Sequence, residues 1–356
     1  MKVTPEIHLF IIWHNALNYR AQIIEHIEKD LNILGIHDIN WEQGKFEENI
    51  TRFYRKRPNM ADKANRVGRN YFTLIVVKDE NPVYKNRHTS KGDEVVNINI
   101  FDRKEHFRSI TGPPNDLIHA TNNIQETNHD LTLLTGTNCE DYLNNCKESE
   151  IRSEDFGNLV AANGWTSVSQ LFYVLNNTLE YVVLRNWESL PDHLLHDTHK
   201  DVDMLVNNLT DASYILNATK VFPEPLRVHY HVTIQNELVP FDIRYVGDDY
   251  YDINFEKDIM KTRILHPNGF YTPNVHYHFY SLLYHAYIHK NGVKDKYKIR
   301  LSQLTDELTP SYFNDENNIA TLLQTFLKIN SYNLVQPEPS VVYNLNAVNL
   351  INGQNK

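Results

Sequence analysis

"DLIHATNNIQETNHDLTLL", Asp116 to Leu134, decides how the first third of the chain is read. A short apolar run ends at His119, the polar turn "ATNN" follows, and a helix is expected from about Asn123. Strand, turn and helix in that order present His119 at a strand end, where a catalytic histidine or an ordinary polar loop residue would equally sit. Thr121 and Asn122 are also good helix N-cap residues, which is the purely structural reading of the same turn.

Working upstream, "EIHLFIIW" (6–13) reads as a buried strand, and Ile23, Ile24, Ile27 and Leu31 recur at helical spacing behind it. A second strand is expected over 35–41 and a helix over 44–56, with Phe46, Ile50 and Phe53 on one stripe. A basic loop, "RKRPNMADKANRVGRN", leads to the strand "YFTLIVV" (71–77), and "DENPVYKNRHTSKGDE" reads as a charged loop. "NIFDRKEHFRSITG" reads as a helix stopped near Gly112. This alternation of strands and helices predicts an α/β (α+β) domain over 1–136. The polar segment 137–155 is the expected linker, 156–335 a second domain, and 336–356 an irregular tail.

Composition bounds the function. The chain has 356 residues, long enough for two domains. It is 41% hydrophobic, with 21 Tyr, ample for packed cores. A net charge of −10 gives no basic footprint, so nucleic acid is not expected as a partner, though a few local Arg and Lys can hold a small anion. Cys139 and Cys146 are the two cysteines, which rules out a disulfide scaffold. No apolar run reads as a signal peptide or membrane span, so a cytoplasmic protein is expected.

In the second half, "EYVVLRN" (180–186) and "DVDMLVNN" (201–208) read as strands. "RVHYHVTIQ" and "LVPFDIRYV" alternate apolar with polar around Asn236-Glu237 and form a hairpin. Asp201 and Asp203, two apart on a strand, share a face, and such a pair repels itself unless a cation compensates. Mg²⁺ or Mn²⁺ is the natural cation. With Asp242 on a neighbouring strand, three carboxylates can hold two metals against a triphosphate. The alternative is a DxD pair on a solvent-facing strand edge. Arg244, two residues after Asp242, either binds a phosphate or pairs with the acid. His276, His278, His285 and His289 invite a zinc reading, but without an HExxH arrangement they read as packing residues on a helix expected over 276–327.

Two resemblances follow from these residues. "YVVLRNWESLP", "DVDMLV" and "PFDIRYV" resemble the polymerase-β-type nucleotidyltransferases over roughly 180–250. The resemblance implies a mixed sheet with a helical subdomain and makes Asp201, Asp203 and Asp242 the metal ligands, with Asp242 alternatively the base that deprotonates the acceptor hydroxyl. It implies nucleotidyl transfer from a nucleoside triphosphate. The family's Gly-Ser phosphate turn is "LRN" here, leaving Arg185 and Asn186 to make those contacts, and Lys290 is a further phosphate candidate.

Residues 6–134, more faintly, resemble the nucleoside diphosphate kinases. Their Ile-Ile-His-Gly-Ser-Asp run matches Ile118, His119, Ala120, Thr121 and Asn122, with Asp130 falling on the acid that orients the histidine. The resemblance implies a ferredoxin-like fold and a nucleophilic His119. Arg108 and Tyr54 would lie at the nucleotide, with Thr121 and Asn122 beside it. The family's Lys-Pro-Asp is Trp13-His14-Asn15 here, and Lys91 is the nearest candidate for its second Arg.

The expectation is therefore a two-domain, Mg²⁺- or Mn²⁺-dependent enzyme moving a nucleotidyl or phosphoryl group from a nucleoside triphosphate to a small acceptor. By analogy with surface-polysaccharide pathways, the acceptor is a sugar or polyol phosphate. Three alternatives stay open: a phosphotransferase working through His119, a DxD glycosyltransferase, and a non-catalytic nucleotide-binding module. The acceptor, the base and the oligomeric state are not legible.

Overall fold

The structure is a computed structural model that describes residues 4–55, 60–146, 150–192, 194–196, 201–225, 227–305 and 307–353. Within expected elements, residue 56 of the helix over 44–56, parts of the basic loop and of the linker, and the approach to the strand at 201 fall outside the described residues. The chain divides into two compact units, Met1–Asn163 and Gly164–Lys356. Mixed helices and sheets bear out the general α+β expectation.

In the first unit, β1 (Glu6–Ile12) and β3 (Phe72–Asp79) are mostly apolar, β2 (Asn32–Ile39) mixes apolar with polar residues, and all three are rich in β-branched residues. With β6 (Ile118–Ala120) and β7 (Asp155–Phe156) they form one sheet in the order β6-β1-β3-β2-β7. β1 runs antiparallel to both β3 and β6, β2 antiparallel to β3, and β7 parallel to β2. Helices α1 (Arg20–Glu28) and α4 (Ile98–Thr111) cover one face through Ile23, Ile27, Ile100 and Phe107, packed with Phe10, Ile12, Ile75 and Val77. Ile118 and Ala120 join that core. Strand alternation therefore turns His119, which pairs with Ile11, to the opposite face. There α2 (Phe46–Tyr54), α3 (Met60–Val67) and α5 (Ile124–Thr135) complete the unit.

Several expectations need correction. The basic loop contains α3, where Ala64 and Val67 are buried on one helical face. The "charged loop" at 79–94 is largely a hairpin, β4 (Tyr84–Thr89) and β5 (Gly92–Asn97). Its charges sit on an exposed ribbon and hide the strand signal, and Gly92 supplies the turn at φ +103°. The segment 137–155 folds back onto the first unit. Its α6 (Cys139–Asn144) buries Tyr142, whose hydroxyl lies 2.6 Å from His37 Nε2 of β2, and β7 extends the sheet. The N-cap of α5 is Asn123, which accepts from Glu126 N, rather than Thr121 or Asn122.

In the second unit, "FGNLVAANGWTSVSQLFYVLNN" is helical only over α7 (Val168–Thr178), begun by Ser167. The strands are β8 (Tyr181–Arg185), β9 (Val202–Val206), β10 (Thr219–Lys220), β11 (His229–Ile234) and β12 (Glu237–Tyr245). They form a sheet in the order β10-β11-β12-β9-β8, parallel only between β12 and β9. α8 (Leu209–Ile215) follows β9, and α9 (Ile253–Lys261) follows β12. A short hairpin, β13 (Ile264–Leu265) and β14 (Tyr271–Thr272), leads to the expected helical region. That region is broken into α10 (Val275–Tyr287), α11 (Asp295–Gln303) and α12 (Glu316–Asn330). Val182, Leu184 and Leu205 of the sheet pack with these helices in one core. The expected irregular tail holds α13 (Leu345–Ile351), which buries Ala347, Val348 and Ile351 in that core. Among the described residues, no helix is long and apolar enough to cross a membrane.

Candidate functional site

A cavity of about 860 Å³ opens in the first unit, within the size range of sites for nucleotide-sized ligands. Five segments wall it: the end of α2 with α3, the β4–β5 turn, α4, the loop from α4 to β6, and the β6–α5 junction. Six of its side chains are cationic (Arg55, Lys63, Arg66, Lys91, Lys104 and Arg108) against five carboxylates. In a chain of net charge −10 that is a local reversal of sign suited to an anion.

His119 lines the cavity with its side chain 14% exposed. Its Nε2 lies 2.9 Å from Asp130 Oδ2, one helix-length of chain away on α5. Asp130 Oδ1 lies 2.8 Å from His129 Nδ1, so both carboxylate oxygens are engaged by histidines. Burial alone would raise the Asp130 carboxyl, but the hydrogen bonds from His119 and His129 outweigh it and hold it down at about 2. An ionised carboxylate only accepts, which fixes the proton on His119 Nε2 and leaves Nδ1 as the lone-pair nitrogen. Among the described residues, Nδ1 has no hydrogen-bond partner.

The ring of Tyr54 meets His119 edge-to-face with centroids 5.7 Å apart, and Phe53 packs beside it at the same separation. Burial pushes the Tyr54 phenol up, so its hydroxyl stays protonated. The Lys63 ammonium lies over the Tyr54 ring, 4.1 Å from its centroid. Arg108 donates from Nε to Ile118 O at 3.0 Å, which ties α4 to the strand that carries His119. Asn122, Asp130 and Lys91 also line the cavity.

The structure thus brings together His119, Asp130, Tyr54, Arg108 and Asn122 of the expected site. Thr121 is not among them. It is fully buried, its Oγ1 accepting from Leu9 N at 3.1 Å and from Thr127 Oγ1 at 2.8 Å. The Trp13-His14-Asn15 segment is also elsewhere. Trp13 is buried against Phe72 and Trp41, and Asn15 donates to Arg66 O. Sequence reasoning missed Lys63, Arg66 and Lys104. For Lys104 a signal existed, because it lies four residues before Arg108 and so on the same helical face.

In the second unit, Asp203 and Asp242 stand level on the parallel pair β9 and β12, and Arg185 stands level with Asp203 from β8. Arg185 donates to Asp203 Oδ1 at 2.5 Å, and Asn186 Nδ2 donates to Oδ2 at 3.0 Å. Asn186 takes the left-handed φ of +60°, one that Asn tolerates better than most residues. Asp201 precedes the strand rather than lying on it. Asp242 Oδ1 lies 3.7 Å from His229 Nε2. Burial first, then Asp242 and Asp201, raise the Asp203 carboxyl to about 6 against the pull of Arg185. Arg185 is charged throughout the working range, so the pair is ionised at neutral pH.

Both Asp203 oxygens are therefore engaged by the protein. Among the described residues, no three His, Cys, Asp or Glu side chains converge as a metal shell. In this arrangement Asp203 is paired with Arg185 and Asn186, Asp242 lies beside His229, and Asp201 stands ahead of β9. Arg244 pairs at 3.4 Å with Asp248 rather than Asp242, and lies 4.1 Å over the Tyr250 ring. His285 Nδ1 lies 2.6 Å from the Tyr250 hydroxyl. Burial lowers His285 and His289 well below the usual histidine range, as expected of packing residues. Lys290 is exposed.

No protein-family model and no curated protein matches this sequence.

Proposed function

We propose that the chain is a phosphotransferase whose first unit accepts a phosphoryl group from a nucleoside triphosphate on His119 and passes it to a small acceptor. The observation that carries this reading is the His119–Asp130 contact inside a cavity where cations outnumber carboxylates. In the forward step the Nδ1 lone pair forms an N–P bond to the terminal phosphorus. The bond from that phosphorus to the bridging oxygen breaks, and its electron pair leaves on the nucleoside diphosphate. The Nε2 proton stays on the ring, and the imidazolium character that develops is stabilised by Asp130. In the return step an acceptor oxygen attacks the phosphorus, and the N–P electron pair returns to Nδ1.

The strand order β6-β1-β3-β2, antiparallel throughout, supports a ferredoxin-like, nucleoside diphosphate kinase-like reading of this unit. Tyr54 edge-on to His119, together with Lys63 and Arg108, supports a nucleotide phosphate lying across the cavity floor. The test is incubation with a nucleoside triphosphate labelled in its terminal phosphate. Alkali-stable, acid-labile label on the wild type, absent from His119→Ala, supports the reading. An unlabelled wild type refutes it. Chasing the label with nucleoside diphosphates and with sugar phosphates identifies the acceptor class.

A second reading rests on the register of Asp203 and Asp242 on adjacent parallel strands, with Asn186 in a left-handed turn where nucleotidyltransferases carry Gly-Ser. It is metal-dependent nucleotidyl transfer in the second unit, and it requires Asp203 to exchange Arg185 for a cation. Calorimetric binding of Mg²⁺ or Mn²⁺ that Asp203→Asn abolishes would support it. Turnover undiminished in that variant would end it.

A further inference from the structure

Transfer of a phosphoryl group needs a cation at the transferring oxygens, and the Trp13-His14-Asn15 segment supplies none to the cavity. Lys104 is the buried lysine of the cavity wall. It is only 6% exposed, yet it lines the same cavity as His119. A buried ammonium carries three N–H donors that all need partners. Among the described residues, Lys104 Nζ has one hydrogen-bond acceptor, Asn122 Oδ1 at 2.9 Å, and it lies 4.3 Å over the Phe101 ring. Two donors are left for whatever occupies the cavity. Asn122 in turn is held by Glu126, whose Oε2 accepts from Asn122 N at 2.6 Å. The ammonium is thus braced beside the strand end that carries His119.

We propose that Lys104 is the cation that binds the transferring phosphoryl group at His119, replacing a lysine that the exit of β1 lacks. This rests on the phosphohistidine reading. Lys104 lies on the same face of α4 as Arg108, so one helix delivers two positive charges to the cavity at i and i+4. Lys104 supplies a flexible point charge, whereas Arg108 is held in place by its bonds from Nε to Ile118 O and from Nη1 to Glu105.

The charged groups around Lys104 are Arg108 and Glu105 on its own helix, Glu126 on α5 and Glu94 on β5. Lys91 and His88 of the β4–β5 turn face the same cavity. Burial, and then the Arg108 charge, lower the ammonium to about 8 against the pull of the three carboxylates. A phosphate binding there would restore its full charge.

The alternative is a structural lysine that only ties α4 to the β6–α5 junction, and the two roles separate experimentally. The rate of His119 labelling by a terminally labelled nucleoside triphosphate is measured for wild type, Lys104→Met and Lys104→Arg, alongside their thermal midpoints. The proposal expects labelling slowed by ~10²-fold or more in Lys104→Met at a midpoint close to wild type, with substantial recovery in Lys104→Arg. It also expects the wild-type labelling rate to decline as pH rises through about 8, and that limb to move to higher pH in Lys104→Arg. Lys104→Met labelled at the wild-type rate overturns the proposal and leaves the phosphohistidine reading standing. Wild type that takes no label overturns both. If Lys104→Met does not fold, Lys104→Arg decides the matter through its alkaline limb: an unmoved limb overturns the proposal.

Discussion

Asp130→Asn is the substitution that probes the first unit most fully. The carboxylate is 4% exposed and accepts from two histidines, at 2.9 Å from His119 and 2.8 Å from His129. An amide of the same shape offers one oxygen and one NH₂, so it can accept from only one ring and turns a donor toward the other. Facing His119 with the NH₂ favours the wrong tautomer and puts the ring proton on Nδ1. Loss of tautomer control in a comparable His–Asp pair costs ~10⁴-fold, so labelling of His119 is expected to fall by ~10²–10⁴-fold while the cavity persists.

The same change has a stability signature. Asp130 is held at about 2 in the native state, against 3.8 for an unperturbed carboxyl. That difference corresponds to roughly 2 kcal/mol in favour of the folded, ionised form at neutral pH. Because the native value is depressed, this contribution is complete above about pH 5 and is lost as pH falls toward 2. Urea titrations of wild type and Asp130→Asn should therefore diverge at pH 7 and converge near pH 2–3. A variant labelled at the wild-type rate would refute the tautomer argument. A stability gap unchanged between pH 7 and pH 3 would refute the charge argument.

Other consequences concern the second unit. Arg185→Ala strands a buried Asp203, and urea titration should show a loss of ~3–5 kcal/mol, with partial recovery in the Arg185→Ala, Asp203→Asn double variant. A single variant within 1 kcal/mol of wild type would contradict the pairing. Glu256 is fully buried beside Asp248 and accepts from Gly247 N and Tyr251 N. Burial and the Asp248 charge raise it to about 9, so the native state keeps a proton that the unfolded chain releases above about 4.5. Stability of this unit should fall as pH rises from about 5 to 9, and Glu256→Gln should flatten that slope in thermal scans. Ile351→Ala should cost ~2–5 kcal/mol because α13 is part of the helical core, and a cost near zero would mean that the terminal helix does not pack.

How much of this was legible in the sequence varies with the range of the interaction. β1 and β3 are dominated by the apolar runs Leu9–Ile12 and Leu74–Val77, and His119 and Asp130 are separated by one turn and part of a helix, so local pattern sufficed. The β4–β5 hairpin is hidden in the sequence because Lys85, Arg87, Asp93 and Glu94 lie along a largely exposed ribbon, buried only at Val96 and Asn97. α13 is only seven residues long and Asn-rich, and it is secured by Asn344 at its cap and by three buried side chains. The cations of the cavity come from α2–α3, the β4–β5 turn and α4, a convergence that only tertiary structure creates. For Asp203, the sequence does not separate metal ligand from ion pair. The register that sets Arg185 level with it, and so forms the ion pair, exists only in the folded sheet.

The most direct test of the account is the intact mass of the protein after incubation with a nucleoside triphosphate. The account predicts the gain of one phosphoryl group, lost on acid treatment, mapped to the peptide carrying His119, and absent from His119→Ala. A wild-type protein that gains no phosphoryl group, or gains one that His119→Ala retains, would contradict it.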